Sequence, residues 1–180
     1  INEEDIILGI KNDLRVAKKS ASIAKALLAS VFRKAPSACS YHSIANELGI
    51  SVRTVIEYLE TFEEMFILKQ INFKGFDSKI YPRKEKKFMI RDPFLAKAIS
   101  IWVRESLRKD FLYEWIVQEH LLRKFGEVYY YRDKFEVDCI ADNLKVEVKV
   151  GKPHRRYPKN VIILDENNIP KVLIDVFEHG

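Results

Sequence analysis

The stretch over residues 136–150 restricts the fold of this chain more than any other part of the sequence. Apolar and charged residues alternate on both sides of Asp142-Asn143, and such alternation is typical of strands that bury one face. Asp-Asn is a residue pair suited to the two-residue turn of a β-hairpin. The turn sets the register, which places four charged positions on one face in two opposing pairs: Asp138 with Glu147, and Glu136 with Lys149.

The opposition of Asp138 and Glu147 points to chemistry at this hairpin. Directly opposed carboxylates have Cβ atoms about 4.5–5.5 Å apart and repel each other unless a positive charge lies between them. Mg²⁺ is such a charge, because it binds carboxylate oxygens together with water. We therefore predict Asp138 and Glu147 as metal ligands, with Lys149 either orienting a metal-bound water or stabilising developing negative charge. The alternative is a metal-free hairpin in which Glu136 pairs with Lys149.

The residues around this hairpin predict a small domain of helix and sheet. Apolar residues at helical spacing indicate a helix over 109–125 that ends at Gly126. Runs of β-branched and aromatic residues predict further strands. The predicted strands are 127–132, 136–141, 145–150, 161–165 and 171–177.

The first half of the sequence is helical in pattern. Two helices account for the apolar spacing up to Arg33, and Pro36 follows the end of the second. Ser40 and Ser51 then begin two further helices around Gly49, which predicts a helix-turn-helix. A later helix begins at Asp92-Pro93, where Asp is a favourable cap and Pro fits the first turn.

The second helix of the helix-turn-helix would present outward Ser51, Arg53, Thr54, Glu57 and Tyr58. Such a helix enters the major groove of DNA in proteins that use this motif. Only Arg53 is basic among these residues, and several glutamates follow it. The module is therefore as suited to a protein partner as to DNA.

Two predicted strands, 67–73 and 86–90, follow the helix-turn-helix and make it a winged helix. They flank a basic loop that also carries Phe76 and Tyr81. Basic surfaces attract phosphate backbones, and the net charge of +5 is compatible with a polyanionic partner. A solvated loop is the alternative. The predicted DNA contacts are Arg53, Lys79, Arg83, Lys84, Lys86 and Lys87, with Arg155 and Arg156 after the hairpin.

Composition excludes several other classes of protein. The two cysteines, Cys39 and Cys139, are far apart and form no zinc or disulfide pattern. No run of 18 apolar residues is present, and the first residues are acidic where a signal peptide is basic. The GxxxxGK[ST] pattern of a P-loop is also absent. These features predict a soluble cytoplasmic protein that contacts no membrane.

Two segments of the first half carry a resemblance to a known family. Residues 41–59 and the run Lys87-Phe88-Met89-Ile90-Arg91-Asp92-Pro93-Phe94-Leu95 resemble the C-terminal half of archaeal AAA+ ATPases. The resemblance implies that residues 1–20 are a linker or lid helix of a missing ATPase domain, and that 21–106 are a winged helix-turn-helix domain. ATP would act only through the missing domain. The implied partners are DNA, that ATPase domain, or a second protein.

Asp138, followed by Glu147-Val148-Lys149, resembles the signature of the PD-(D/E)XK nuclease superfamily. The resemblance implies a nuclease-like domain over 107–180 with Glu114 of the preceding helix as a further catalytic acid, for which Glu119 competes. The expected fold is α+β: an N-terminal all-helical/winged-helix domain followed by a small α/β restriction-endonuclease-like domain with a mixed sheet. The expected function is Mg²⁺-dependent DNA cleavage. The alternatives are a non-catalytic docking module and a winged-helix transcriptional regulator.

Overall fold

The computed structural model describes residues 2–151 and 157–178, with side chains up to Ile174. Within these residues the chain forms seven helices and eight strands. In chain order they are α1 (Glu3–Val16), α2 (Ala21–Lys34), α3 (Tyr41–Leu48), α4 (Val52–Glu64), β1 (Leu68–Ile71), β2 (Phe73–Lys74), β3 (Ile80–Tyr81), β4 (Lys87–Ile90), α5 (Pro93–Val103), α6 (Lys109–Phe125), β5 (Tyr129–Arg132), β6 (Glu136–Ala141), β7 (Leu144–Val148), β8 (Ile162–Leu164) and α7 (Ile169–Glu178).

The chain divides into two compact units. The first comprises the chain up to Gln70 together with Glu85–Arg108, and the second comprises Ile71–Lys84 together with the chain from Lys109 onward. The first unit contains helices α1 to α5 and a two-stranded sheet of β1 and β4. The second contains α6, α7 and a six-stranded mixed sheet. The chain is therefore an α+β protein with a helical N-terminal part, as the sequence predicted.

Side-chain caps explain where the helices of the first unit begin. The hydroxyls of Ser40 and Ser51 accept hydrogen bonds from Ser43 N and Thr54 N, both at 3.0 Å, and thereby satisfy N–H groups that have no partner within the helix. Gly49 ends α3 in the left-handed conformation, with φ of 65°, which glycine adopts without steric cost. Helices α3 and α4 thus form the predicted helix-turn-helix.

Tyr58 on α4 does not face outward, so that prediction is wrong. Its side chain is 6% exposed, and its ring packs edge-on against Phe62 with centroids 6.4 Å apart. Its hydroxyl accepts a hydrogen bond from Ser20 N at 2.8 Å, just before α2. A tyrosine can lie at the margin of an apolar stripe because its ring is buried while its hydroxyl finds a polar partner.

The segment between β1 and β4 also differs from the prediction. It contains the strands β2 and β3, which pair antiparallel with each other, and β2 pairs parallel with β5 of the second unit. Phe73 explains this arrangement, because its buried ring lies 5.7 Å from the ring of Tyr130 and 5.6 Å from that of Tyr131. Burial of this aromatic cluster stabilises the segment as sheet. The single strand predicted over 67–73 is therefore divided at Asn72.

The six-stranded sheet has the order β3-β2-β5-β6-β7-β8. Strands β5, β6 and β7 are antiparallel neighbours, whereas β8 runs parallel to β7. The register between β6 and β7 is the predicted one, since Cys139 pairs with Val146 and Ala141 pairs with Leu144. Asp142 adopts a positive φ of 50° in the intervening turn, as hairpin turns of two residues require.

The fifth strand predicted over residues 171–177 is wrong, because Ile169–Glu178 is a helix. Pro170 lies in the first turn, where its missing N–H needs no partner. The main-chain oxygen of Asn168 accepts a hydrogen bond from Val172 N at 3.1 Å. A short apolar run has no period that separates strand from helix, so the sequence pattern could not decide between them.

Candidate active site

Strands β6 and β7 bring Asp138 and Glu147 together on one face of the sheet. Both side chains are buried, with 4% and 1% exposed. The opposite face of the hairpin carries only apolar side chains, which belong to the core: Val137, Cys139, Val146 and Val148. The apolar face thus anchors the hairpin, and the period of two directs both acids to the other side.

Each of the two carboxylates accepts a main-chain hydrogen bond. Asp138 Oδ2 accepts from Val148 N at 2.9 Å, and Glu147 Oε2 accepts from Asp138 N at 3.1 Å. Charge-assisted bonds of this kind are among the stronger ones in proteins. They tie each carboxylate group to the main chain of the strand that carries the other acid.

The second oxygen of Glu147 contacts two further polar groups. Lys149 Nζ lies 2.5 Å from Glu147 Oε1, and the hydroxyl of Tyr157 donates to the same oxygen at 3.0 Å. Lys149 Nζ also lies 5.5 Å from the centroid of the Tyr157 ring. The ion pair that the structure shows for Lys149 is therefore with Glu147, whereas the metal-free alternative paired it with Glu136.

Burial and mutual repulsion perturb the titration of this cluster. Burial is the larger cause and repulsion by Asp138 the second, and together they raise the pKa of Glu147 to about 7, against the opposing effects of Lys149 and Tyr157. Burial alone would lower the pKa of Lys149, but its hydrogen bonds to Glu147 and Tyr157 raise it. A cationic lysine therefore faces a carboxyl group that changes charge near neutral pH.

Helix α6 contributes Glu114 and Gln118 to the same region. Gln118 Nε2 donates to Glu114 Oε1 at 3.1 Å and to the main-chain oxygen of Asp138 at 3.3 Å. Glu114 is 4% exposed and Gln118 is 1% exposed. Among the described residues, the buried oxygen of the Gln118 amide has no hydrogen-bond partner. A buried polar atom left without a partner costs about 1–3 kcal/mol, so Gln118 retains the capacity to accept a hydrogen bond.

Glu119, the competing acid on α6, forms an ion pair within its own helix. Its Oε1 atom lies 2.8 Å from Arg123 Nε, one turn further along α6. Glu114 is linked through Gln118 to the strand that carries Asp138. The hydrogen bonds of Gln118 therefore connect Glu114 to the hairpin.

The residues predicted to contact nucleic acid differ in their exposure to solvent. Lys79, Arg83 and Lys84 are exposed, and Lys84 Nζ lies 4.2 Å from the centroid of the Phe73 ring. Arg53 is exposed on α4 and pairs with Glu57 at 2.9 Å, which partly neutralises its charge. Arg155 and Arg156 lie outside the described residues.

Lys86 and Lys87 are buried, so the prediction of a basic surface loop is wrong for its last two lysines. They are 8% and 2% exposed. Lys86 lies beside the start of β4 and forms two main-chain hydrogen bonds with Cys39, at 2.9 and 3.0 Å. Its Nζ atom lies 5.2 Å from the ring centroid of Tyr41, and burial lowers its pKa. The apolar residues that follow in β4 draw this part of the chain into the core of the first unit.

Two residues of the cluster, Gln118 and Tyr157, were missed from the sequence. Gln118 lies one helical turn after Glu114, so the i,i+4 spacing was a usable signal. Tyr157 lies ten residues after Glu147 in a segment without a periodic pattern, so no local signal connected it to the hairpin.

The chemistry of the donors fits a divalent cation in part. Asp138 and Glu147 supply the hard carboxylate oxygens that Mg²⁺ prefers, and their repulsion would fall on binding a cation. Among the described residues, no group of three or more His, Cys, Asp or Glu side chains is arranged to hold a metal ion. Asp138 and Glu147 are therefore the candidate ligands, and water would complete the coordination.

The fold and the site define an α+β protein with a buried pair of carboxylates on a β-hairpin. The chain belongs to the family described as Domain of unknown function (DUF8612), whose model matches residues 5–106. The match covers more than half of the chain and ends before α6, so the carboxylate pair lies outside it. No curated protein and no solved structure matches significantly. In the described part of the chain, no helix is both long and apolar enough to span a bilayer.

Proposed function

We propose that the second unit is a metal-dependent endonuclease domain that hydrolyses phosphodiester bonds in DNA, and that Asp138 and Glu147 hold Mg²⁺. One observation carries the proposal: two buried carboxylates lie side by side, with a lysine 2.5 Å from one of them. Burying repelling charges is costly. Such an arrangement is expected where a cation binds, because perturbed acids cluster at functional sites.

The roles of the residues follow from their positions. A bound Mg²⁺ would polarise the phosphate and lower the pKa of a coordinated water. Lys149 would stabilise negative charge at the reacting phosphate, since its pKa is raised and it stays cationic. Glu114 would orient the region around Asp138 through Gln118.

Under the same proposal, the first unit of the chain would connect the nuclease domain to other partners. The winged-helix unit would dock DNA or a protein, and an ATPase domain of the archaeal AAA+ type would supply ATP-driven motion. Exposed Lys79, Arg83 and Lys84 on the second unit would contact the phosphate backbone. Cys39 and Cys139 are not joined by a disulfide, which is compatible with a reducing cytoplasm.

A second candidate is a non-catalytic docking module. It is favoured by the internal hydrogen bonds of the site, since Glu147 already contacts Lys149, Tyr157 and the main chain without a cation. Such a hairpin would be a structural polar cluster, and the domain would then bind a protein partner. It predicts that Mg²⁺ neither binds nor changes the behaviour of the chain.

Cleavage of plasmid and linear DNA in the presence of Mg²⁺ tests the proposal. We expect Asp138→Asn, Glu147→Gln and Lys149→Met each to lower the cleavage rate by about 100-fold or more. Lys171→Met and Glu166→Gln are matched controls, because both residues are exposed, and we expect them to cleave as the parent does. Circular dichroism would show that the variants are folded.

The result that would overturn the proposal is equally specific. If the parent shows no Mg²⁺ binding by calorimetry, or if the Asp138 and Glu147 variants cleave as well as the parent, the site is not a metal-dependent nuclease. The docking module would then be the better account of the buried acids.

A further inference from the structure

A small cavity of about 150 Å³ lies beside the turn of the hairpin, in the second unit. Its lining includes residues from two hairpins of the sheet. Lys74 and Phe76 come from the β2–β3 segment, and Ile140, Asn143 and Lys145 come from the β6–β7 hairpin. The lining combines an aromatic ring, two lysines and a side-chain amide, with one acid at the turn, Asp142.

Phe76 is the notable apolar group of this cavity, because its side chain is 49% exposed. Its ring belongs to an aromatic cluster, with Tyr131 at 4.1 Å and Phe135 at 5.5 Å between centroids. Lys145 Nζ lies 4.6 Å from the Phe76 centroid. An exposed ring that is held by other rings and flanked by a cation suits a flat, electron-rich partner beside a negative charge.

The tip of the β2–β3 segment is held in a defined shape. Asp77 accepts hydrogen bonds from the Tyr81 hydroxyl at 2.6 Å and from Lys79 N at 3.1 Å. Gly75 N donates to Lys79 O at 2.9 Å, and a Cβ at Gly75 would collide with Asp77 Oδ1. The position of Phe76 next to Gly75 is therefore set by contacts, which lowers the entropy cost of binding to it.

The cavity and the carboxylate pair lie on the same hairpin. Ile140 pairs with Lys145 across the strands, and Asp138 and Glu147 each lie two residues further from the turn. Two residues along a strand correspond to about 7 Å. A chain of nucleotides that reached the acids would thus pass this cavity.

We propose that the cavity beside Phe76 binds an unpaired base of a single-stranded polynucleotide. The base stacks on Phe76, Lys74 and Lys145 contact the adjacent phosphates, and the Asn143 amide offers hydrogen bonds to the base edge. This inference rests on the proposed function, and it assigns that function a substrate class: a single strand, or a duplex with an unpaired nucleotide. A base inside an intact duplex has no free face for such stacking.

Binding in the presence of EDTA tests this inference without cleavage. The full chain is titrated against a fluorescein-labelled oligothymidylate of about 12 nucleotides, the oligouridylate of equal length and a blunt duplex, by anisotropy. We expect tighter binding to the single strands than to the duplex, and Phe76→Ala to weaken that binding by about fivefold or more. Phe94→Ala is the matched control, since Phe94 is also exposed, at 42%, but lies on α5.

The variant Phe76→Trp separates stacking from a structural role. We expect it to retain binding and to show quenching of tryptophan fluorescence by the single strand, beyond that of the parent with Trp102 and Trp115. Phe76→Leu keeps an apolar side chain at the site but removes the ring, so it should bind weakly, as Phe76→Ala does. Lys145→Gln should reduce the dependence of affinity on salt.

The inference is overturned if the parent binds the duplex as tightly as the single strands, if it binds none of them, or if Phe76→Ala binds as the parent does. Comparison of the oligothymidylate with the oligouridylate shows whether DNA or RNA is preferred. Binding is measured in EDTA, where Mg²⁺-dependent cleavage does not occur, so loss of cleavage and loss of stacking are separate outcomes. Phe76-dependent binding by a chain that never cleaves would support this site and refute the nuclease proposal.

Discussion

Asp138 and Glu147 are joined by a hydrogen bond from the main chain of one to the side chain of the other, with Asp138 N 3.1 Å from Glu147 Oε2. Asp138 Oδ2 in turn accepts a hydrogen bond from Val148 N, at 2.9 Å, and Val148 is the residue after Glu147. These bonds orient two acids that repel each other inside the protein. Burial and the neighbouring Asp138 raise the pKa of Glu147 to about 7, and this shift can be tested directly.

We predict that Glu147 makes the stability of the chain fall as pH rises from about 4.5 to about 7. The pKa of Glu147 is raised from 4.5 to about 7 in the folded protein, so the folded state binds its proton more tightly than the unfolded state does. The associated stability is complete below the unfolded pKa and is lost as pH rises through the folded pKa. The loss is on the order of 3 kcal/mol, since one pKa unit corresponds to about 1.4 kcal/mol.

Urea denaturation in EDTA at several pH values measures this effect. Glu147→Gln should gain stability relative to the parent as pH rises through this window. Glu166→Gln removes an exposed acid of the same unit and should follow the parent. A constant difference between Glu147→Gln and the parent across the window would contradict a raised pKa for Glu147.

Mg²⁺ should stabilise the parent against thermal unfolding. A ligand that binds only the folded state adds about 2.7 kcal/mol at about 100 times its dissociation constant. The gain should be larger at pH 8 than at pH 6, because a proton on Glu147 competes with the cation. Differential scanning calorimetry of the parent and of Asp138→Asn makes the comparison, and an equal shift in both would show that the ion binds elsewhere.

Removal of the Tyr157 hydroxyl should move the titration of Glu147 upward. This hydroxyl donates to Glu147 Oε1 at 3.0 Å and lowers the pKa of that carboxyl. In Tyr157→Phe, the acidic limb of the pH–rate profile for cleavage should therefore shift to higher pH. The stability cost should be about 1 kcal/mol.

Tyr113→Phe is the control for this variant, because Tyr113 is a half-buried tyrosine on α6. A purely structural role of Tyr157 would lower stability and leave the profile in place. If the acidic limb of the pH–rate profile of Tyr157→Phe coincides with that of the parent, Tyr157 does not position Glu147 or lower its pKa.

The start of α5 depends on Asp92. Its Oδ1 atom accepts hydrogen bonds from Phe94 N at 2.8 Å and from Leu95 N at 2.9 Å. We predict that Asp92→Ala lowers the free energy of unfolding by about 1 kcal/mol, while Asp92→Asn loses little, because asparagine is an equally good cap. Urea denaturation at neutral pH would test this. If Asp92→Ala and Asp92→Asn are both as stable as the parent, the cap contributes nothing to stability.

Much of the fold was predictable because local signals were strong. The helix starts at Ser40, Ser51 and Asp92 and the helix that ends at Gly126 were all found from sequence. The hairpin register was found as well. Tyr157 was not, because its contact with Glu147 depends on how the chain returns to the hairpin. Whether the site binds Mg²⁺ and cleaves DNA stays a prediction.

The sequence by itself determined the hairpin, because a tight turn and a period of two act over a few residues and leave one register that buries the apolar face. Only the tertiary structure decided the secondary structure and the burial of segments whose local sequence pattern was ambiguous. Phe73–Lys74 became a strand beside β5 because Phe73 is buried among aromatic rings of that strand. Lys86 and Lys87 were buried together with β4, which begins at Lys87, and Ile169–Glu178 formed a helix. For Phe73 and for the two lysines, burial against distant parts of the same unit outweighed the weak local preference.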